Sequence, residues 1–150
     1  MNGQWQRCDI VVADDDEGDR YLIQKAMEDI GVNGDVHFFE DGQLLVERLT
    51  RQLTAPSNES RLPCLILLDL NMPRMDGRET LKIIKNHPDL KEIPVVVLTN
   101  SKNQEDIDGT YRNGANSFFT KPLNYSGLVD LMKLLKTYWL ETVSLPQRAV

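Results

Sequence analysis

The sequence has no long apolar run and no local excess of basic residues. None of its apolar segments approaches the length of a membrane-spanning helix, and no signal-peptide pattern follows Met1. Lys and Arg number 17 against 23 Asp and Glu, and the resulting net charge of -6 disfavours binding to a phosphate backbone. We therefore expect a soluble, cytoplasmic protein that contacts neither membrane nor nucleic acid directly.

Cysteine, histidine and glycine are too sparse or too scattered to form a metal site, a redox motif or a dinucleotide-binding loop. Neither Cys8 nor Cys64 has partners at the spacing of a metal or redox motif, so we expect two buried structural thiols. His37 and His87 also lack partners at metal-ligand spacing, which favours structural roles. No glycine-rich loop follows the first predicted strand, and this excludes a dinucleotide-binding fold.

What the sequence does contain is a regular alternation of strand and helix patterns. Strands joined through helices run parallel with right-handed crossovers, so the pattern predicts a doubly wound α/β fold whose strand ends share one edge. At 150 residues we expect one domain, with a core of about 8–140 and a tail of about 141–150. The predicted strands are 8–13, 35–40, 64–68, 94–99 and 117–122.

The most informative segment is the apolar run 64–68, which ends abruptly on Asp69. A continuous apolar run followed by a loop containing Pro and Gly is typical of a strand that helices cover on both faces. Ligands of such sheets bind beyond the carboxyl ends of the strands, so Asp69 is a candidate functional residue. Polar residues at the other strand ends share this rim, namely Asp14, Asp15, Asp16, Thr99 and Lys121.

The crowded carboxylates at this rim favour a hard cation, because the alternative is to protonate one of them. Mg²⁺ is often held by one or two carboxylates and a phosphate oxygen, and Asp15 and Asp69 suit that role. For Asp16 we favour the N-cap of the first helix. Lys121 and Thr99 suit phosphoryl oxygens around Asp69, which would act as a nucleophile and form an aspartyl phosphate.

Taken together, these residues resemble the receiver domain of two-component response regulators. The resemblance covers nearly the whole chain and implies a flavodoxin-like (βα)5 fold with five parallel strands in the order 2-1-3-4-5. It implies that Asp69 accepts a phosphoryl group from a sensor histidine kinase in a Mg²⁺-dependent reaction. The features that carry it are Asp14-Asp15, the stretch Leu-Leu-Asp-Leu-Asn-Met-Pro-Arg-Met-Asp-Gly around Asp69, Thr99 and Lys121-Pro122.

The resemblance also implies a role for each site residue. Thr99 and Lys121 would bind phosphoryl oxygens, and Phe118 would be an aromatic switch that moves with Thr99, although plain strand packing explains Phe118 equally well. A cis peptide is expected before Pro122. The chain would be a phosphoacceptor with self-catalysed phosphotransfer and slow autodephosphorylation, not an enzyme. The implied Mg²⁺ ligands are Asp14, Asp15, Asp69 and the backbone carbonyl of Asn71.

Within this family the sequence is most similar to stand-alone receivers that are paired with bacterial phytochromes. The similarity lies in the extra loop 54–63, in Leu-Thr-Asn-Ser after the fourth strand and in the closing segment 138–146. It implies a phytochrome as the histidine kinase partner. Asn100 departs from the small residue that many receivers have after the Thr, and it could hinder or help the water that hydrolyses the acyl phosphate.

A receiver without an effector domain must signal through a change in its own surface. The fourth predicted helix, 103–113, is polar apart from Ile107 and Tyr111, so we expect it to be the most weakly anchored. A phosphoryl group that draws in Thr99 can bias two packings of this region. We expect homodimerisation through the fourth helix, the fifth strand and the last helix, with the tail bracing the interface.

Two other functions deserve comparison with the receiver. A phosphatase resembling the haloacid dehalogenases also uses an Asp nucleophile, Mg²⁺, Thr or Ser, and Lys, but it normally carries a second Asp two residues after the nucleophile. That position is Asn71 here, and the nucleophile lies on the third strand behind a separate acidic cluster. A phosphorylation-independent scaffold is the other alternative, and the complete set of Asp69, Thr99 and Lys121 argues against it.

Overall fold

A computed structural model of the protein describes residues 8–32, 34–56 and 61–146. Outside these ranges lie Trp5, residues 57–60 of the predicted loop and residues 147–150 of the predicted tail. Strand and helix alternate in the described chain, and a π-helical segment follows the last α-helix. The elements are β1 (Ile10–Ala13), α1 (Glu17–Asp29), β2 (Val36–Phe39), α2 (Gly42–Thr54), β3 (Leu65–Leu68), α3 (Gly77–Asn86), β4 (Val95–Thr99), α4 (Gln104–Arg112), β5 (Ser117–Thr120), α5 (Tyr125–Leu135) and the π-helix Lys136–Thr142.

The five strands form one parallel sheet in the order β2-β1-β3-β4-β5. This confirms the predicted doubly wound, flavodoxin-like fold. The chain moves outward from β1 to β2, then crosses to β3 and continues in the other direction through β4 and β5. The carboxyl ends of β1 and β3 therefore flank the point where the winding reverses, which is where such sheets form a crevice.

Helices cover both faces of the sheet, and every residue of β1, β3 and β4 is buried. Successive side chains of a strand point to opposite faces, so each strand contributes to two cores. The core beneath α2 and α3 includes Val11, Leu45, Ile66, Leu81 and Val97. The core beneath α1 and α5 includes Ile10, Ile23, Leu67, Leu98 and Met132, with Trp139 packed against it.

The predictions for Asp16 and for the fourth helix are confirmed. Asp16 is the N-cap of α1, and its side chain accepts a hydrogen bond of 2.9 Å from the Asp19 amide. Gly31, just beyond that helix, has φ +71°, a left-handed conformation that glycine adopts readily. In α4 only Thr110 is buried, which makes it the α-helix with the fewest buried residues. Among the described residues, no helix combines the length and apolar character needed to span a bilayer.

Two local predictions are wrong. Cys8 and Cys64 are not separate thiols but form a disulfide, with their Cα atoms 5.7 Å apart. The reason lies in the sheet, because β1 and β3 are neighbours and their starting ends meet although they are far apart in the sequence. The expected cis peptide before Pro122 is also absent, since no described peptide bond is cis. The trans isomer is the favoured form of an X–Pro bond.

Candidate functional site

The carboxyl ends of β1 and β3 bring three carboxylates together. Asp14 follows β1 directly and Asp69 follows β3 directly, and both side chains are buried, whereas Asp15 is exposed. One oxygen from each of these three residues lies within 4.8 Å of the others. We call Asp14, Asp15 and Asp69 the acidic cluster. Because its ligand atoms are all carboxylate oxygens and one side faces solvent, it suits a divalent cation that retains water ligands.

Backbone amides hold the carboxylate of Asp69 in place. Its own amide donates to the Ala13 carbonyl at 2.9 Å, which extends the β1–β3 ladder by one more bond. Oδ1 of Asp69 accepts a hydrogen bond of 2.7 Å from the Leu70 amide. Oδ2 instead faces Lys121, whose Nζ lies 2.9 Å away. The two oxygens of Asp69 are therefore distinct, with one held by the backbone and the other by a side chain.

Lys121 extends from the end of β5 into the acidic cluster. Its Nζ lies 2.7 Å from Asp14 Oδ2, 2.7 Å from Asp19 Oδ2 and 2.9 Å from Asp69 Oδ2. Burial alone would lower the pKa of Lys121, but the three carboxylates raise it above its ordinary value. Burial raises the pKa of Asp14 to about 6, although the hydrogen bond from Lys121 opposes that shift. The pocket holds more carboxylates than cations, which is a second reason why it suits a metal ion.

Thr99 is fully buried at the end of β4 and begins a chain of polar contacts. The Lys121 amide donates to the Thr99 carbonyl at 2.8 Å, which joins the ends of β4 and β5. The Ser101 amide lies 3.5 Å from Thr99 Oγ1, and Ser101 Oγ donates to Asp106 at 2.7 Å. Arg78 Nη2 donates to the other oxygen of Asp106 at 2.8 Å. These contacts connect the end of β4 to α4 and α3.

Asn71 and Phe118 complete the predicted set. Asn71 lies two residues beyond Asp69 in the β3–α3 loop, and its side-chain oxygen is 3.5 Å from Arg78 Nη1. Phe118 lies beside Val97 in the β4–β5 register and packs, partly buried, against the core beneath α2 and α3.

The predicted site residues can now be placed relative to one another. The structure brings four of them into one pocket, namely Asp14, Asp15, Asp69 and Lys121, with Thr99 and Asn71 at the same edge. Phe118 lies within β5, away from its end.

Sequence reasoning missed an ion pair that anchors the β3–α3 loop. Asp41 is buried, caps α2 through the Leu44 amide at 2.9 Å, and accepts bonds of 2.9 and 2.7 Å from Arg74 Nε and Nη2. Arg74 has a left-handed φ of 65°. Burial would raise the pKa of Asp41, but the bonds from Leu44 and Arg74 lower it. The cap itself was detectable, because Asp41 directly precedes the amphipathic Gly-Gln-Leu-Leu pattern.

We expect Asp41→Ala to lower the free energy of unfolding by about 2 kcal/mol at neutral pH, because it removes a helix cap and the partner of Arg74. Urea denaturation measures the loss. The folded state lowers the pKa of Asp41, so its ionised form stabilises the fold above the ordinary carboxyl pKa, and that contribution fades as pH falls. Glu47→Ala, at an exposed site on α2, should change stability little. Equal losses in the two variants would contradict the assigned role.

A doubly wound sheet with an acidic cluster, a largely buried lysine and a buried threonine at its carboxyl edge defines a receiver-type signalling domain. The chain belongs to the response regulator receiver domain family, whose model matches residues 10–133. Response regulator Rcp1 of Synechocystis sp. is 39% identical to it over 137 residues, which are 91% of this chain and 92% of that protein. Membership of the family implies a histidine kinase partner.

Solved structures of similar proteins agree with this assignment. The phosphorylated cyanobacterial phytochrome response regulator RcpA is 38% identical, with a TM-score of 0.85 over 94% of this chain and 99% of that one. The Mn²⁺-bound form of Rcp1 is 38% identical, with a TM-score of 0.81 over 93% of this chain and 99% of that one. Receiver domains bind a divalent metal at an acidic pocket, and the acidic cluster fits such an ion.

Proposed function

We propose that the chain is a phosphorylation-controlled switch and that Asp69 is its phosphoacceptor. The observation that carries this proposal is the position of Asp69 at the end of β3, with Oδ1 fixed by the Leu70 amide and Oδ2 facing the Lys121 ammonium. A carboxylate oxygen held this way is oriented for attack, and a cation stands beside the charge that accumulates during phosphoryl transfer.

The reaction is an in-line displacement at phosphorus. Asp69 Oδ2 forms a bond to phosphorus while the bond between phosphorus and the kinase histidine breaks, and the imidazole leaves with the electron pair and takes a proton from solvent. Lys121 and Thr99 bind phosphoryl oxygens and neutralise their charge. Mg²⁺, when held by the acidic cluster and the Asn71 carbonyl, supplies further neutralisation. Water near the exposed Asn100 later hydrolyses the acyl phosphate.

Intact-mass measurement after incubation with acetyl phosphate and Mg²⁺ tests this function. We expect a gain of one phosphoryl group, and no gain when EDTA removes the metal. A chain that gains no phosphoryl group and binds no beryllofluoride would instead act as a phosphorylation-independent scaffold. Sustained turnover of p-nitrophenyl phosphate would point to the haloacid-dehalogenase-like phosphatase, which the Asn at position 71 disfavours.

The proposed phosphodonor is a histidine kinase of the bacterial phytochrome type, and the proposed location of this chain is the cytoplasm. The similarity to RcpA, a cyanobacterial phytochrome response regulator, supports this choice. In this proposal residues 8–140 form a single receiver domain and light is the stimulus. The test is phosphotransfer from an autophosphorylated bacterial phytochrome, compared with a histidine kinase that senses another signal. Faster transfer from the unrelated kinase would contradict it.

The proposed output is homodimerisation through α4, β5 and α5. Two large side chains of this region are about half exposed and are available to a second copy: Tyr111 (49%) on α4 and Leu134 (55%) on α5. Tyr138 (50%), on the π-helix that follows α5, adds a third. The sparse burial of α4 allows that helix to shift when Thr99 is drawn toward a phosphoryl group.

We expect the beryllofluoride-loaded chain to sediment as a dimer, and we expect deletion of residues 141–150 to weaken that dimer. Sedimentation velocity at several concentrations measures both effects. The untreated full-length chain is the control. Monomeric sedimentation of the loaded full-length and truncated chains alike would contradict this output.

A further inference from the structure

Asp19 contacts the pocket, although the family resemblance assigns it no role. It lies in the first turn of α1, and its Oδ2 is 2.7 Å from Lys121 Nζ. It does not belong to the acidic cluster that could hold a metal ion. Its side chain is 34% exposed, whereas the other two carboxylates beside Lys121, those of Asp14 and Asp69, are almost fully buried. Asp19 is therefore the outermost of the three partners of this ammonium.

The three partners differ in what else they must bind. An ammonium group has three N–H donors and no acceptor, and three carboxylates occupy the donors of Lys121. In the proposed function Asp14 and Asp69 also bind the divalent cation, and Asp69 carries the phosphoryl group. Asp19 neither binds the cation nor carries the phosphoryl group. It can therefore hold Lys121 when the cation draws Asp14 and Asp69 away.

We propose that Asp19 is a positioning residue that acts through Lys121 in two opposite ways. By holding the ammonium, it lets Asp14 and Asp69 turn to the divalent cation. By holding the same ammonium, it competes with the phosphoryl group, which needs a donor from Lys121. This inference rests on the proposed function, because it assumes that cation and phosphoryl group both bind at this pocket.

The solvent exposure of Asp19 makes it the partner that Lys121 releases most readily. A released carboxylate that is partly exposed is rehydrated, whereas a buried one would stay unpaired at a high cost. The exposure also limits the strength of the contact, because water screens partly exposed ion pairs. Asp19 therefore changes the affinities for the divalent cation and for the phosphoryl group by modest factors. Neither ligand requires Asp19 in order to bind.

The test is Asp19→Asn, measured by calorimetric titration with Mg²⁺ and then with beryllofluoride at saturating Mg²⁺. We expect the Kd for Mg²⁺ to rise roughly 2- to 5-fold, because Lys121 then binds Asp14 and Asp69 more persistently. We expect the Kd for beryllofluoride to fall by a similar factor, because Lys121 is free to bind it. Asp19→Glu keeps a carboxylate and should restore both constants to near the native values.

The matched control is Glu17→Gln, which removes the same charge from an exposed site in the same turn of α1. It should leave both constants nearly unchanged. Weaker binding of both ligands in Asp19→Asn would indicate structural damage alone and would overturn the inference, as would two unchanged constants. If the native chain bound Mg²⁺ but not beryllofluoride, the proposed function would fail, and an unchanged Mg²⁺ affinity in Asp19→Asn would separately overturn the role of Asp19.

Discussion

Asp69→Asn should accept no phosphoryl group from acetyl phosphate under conditions in which the native chain accepts one. The amide side chain is nearly the same size as the carboxylate, so the loop after β3 should keep its shape. What disappears is the anionic oxygen that faces Lys121 and attacks phosphorus. Intact mass measures the result directly, and urea denaturation checks that the variant is folded. We expect phosphoryl incorporation to fall below detection and not merely to decrease.

The controls for this prediction are Asp15→Asn and Asp14→Asn, which remove the other carboxylates of the acidic cluster. Each keeps Asp69, so each should still gain a phosphoryl group, but more slowly and only at higher Mg²⁺ because one metal ligand is lost. Peptide mapping should place the group on the peptide that contains Asp69. A phosphoryl group on Asp69→Asn would mean that another residue is the acceptor.

The sheet and the residues at its carboxyl edge could be predicted from the sequence alone. Uninterrupted apolar runs reveal strands buried on both faces, and parallel strands place the residues after them at one edge, so Asp14, Asp69, Thr99 and Lys121 could be grouped without coordinates. The roles of these residues came from family resemblance and not from the pattern. The resemblance also supplied the one prediction about backbone geometry, the cis peptide before Pro122, that the structure contradicts.

The contacts that sequence reasoning missed share one physical cause. Cys8 with Cys64, Asp41 with Arg74, and Asp19 with Lys121 are pairs from different elements, and their meeting depends on how strands and helices align in space. Local patterns do not reveal such alignments. An acid in the first turn of a helix, such as Asp19, is ordinary because it suits the helix dipole. Nothing in its neighbourhood along the chain distinguishes it from Glu17.

The last helix keeps its apolar stripe, but its helix type changes along its length. Leu128, Leu131, Met132 and Leu135 are buried as their spacing predicts. The α-helix ends at Leu135, however, and Lys136–Thr142 continues as a π-helix, in which the hydrogen bonds span one more residue. Trp139, on this π-helix, is partly buried and packs against the core beneath α1 and α5.

Gly77→Ala should be among the most destabilising single-methyl changes in this chain. Gly77 begins α3, and its amide donates to the Leu70 carbonyl at 2.8 Å. A Cβ atom at this position would lie 2.0 Å from the Asp69 carbonyl oxygen and 2.7 Å from the Leu70 Cα. Both are backbone atoms, so relief requires moving the segment that carries the proposed phosphoacceptor. We expect a loss of about 3 kcal/mol in the free energy of unfolding.

Gly109→Ala is the matched control, because it adds the same methyl group at a glycine within α4. The nearest atom to its Cβ would be Arg112 Nη2, at 4.0 Å, which is an ordinary contact with a flexible side chain. Alanine favours the helix over glycine, so this variant should gain about 0.5–1 kcal/mol. Urea denaturation measures the free energy of unfolding of both variants, which should fall in Gly77→Ala and rise in Gly109→Ala. Similar losses in the two would mean that the close approach of α3 to the Asp69 backbone does not determine the effect. A large loss confined to Gly77→Ala would show that the glycine after Met-Asp lets α3 pack directly against the loop that presents Asp69.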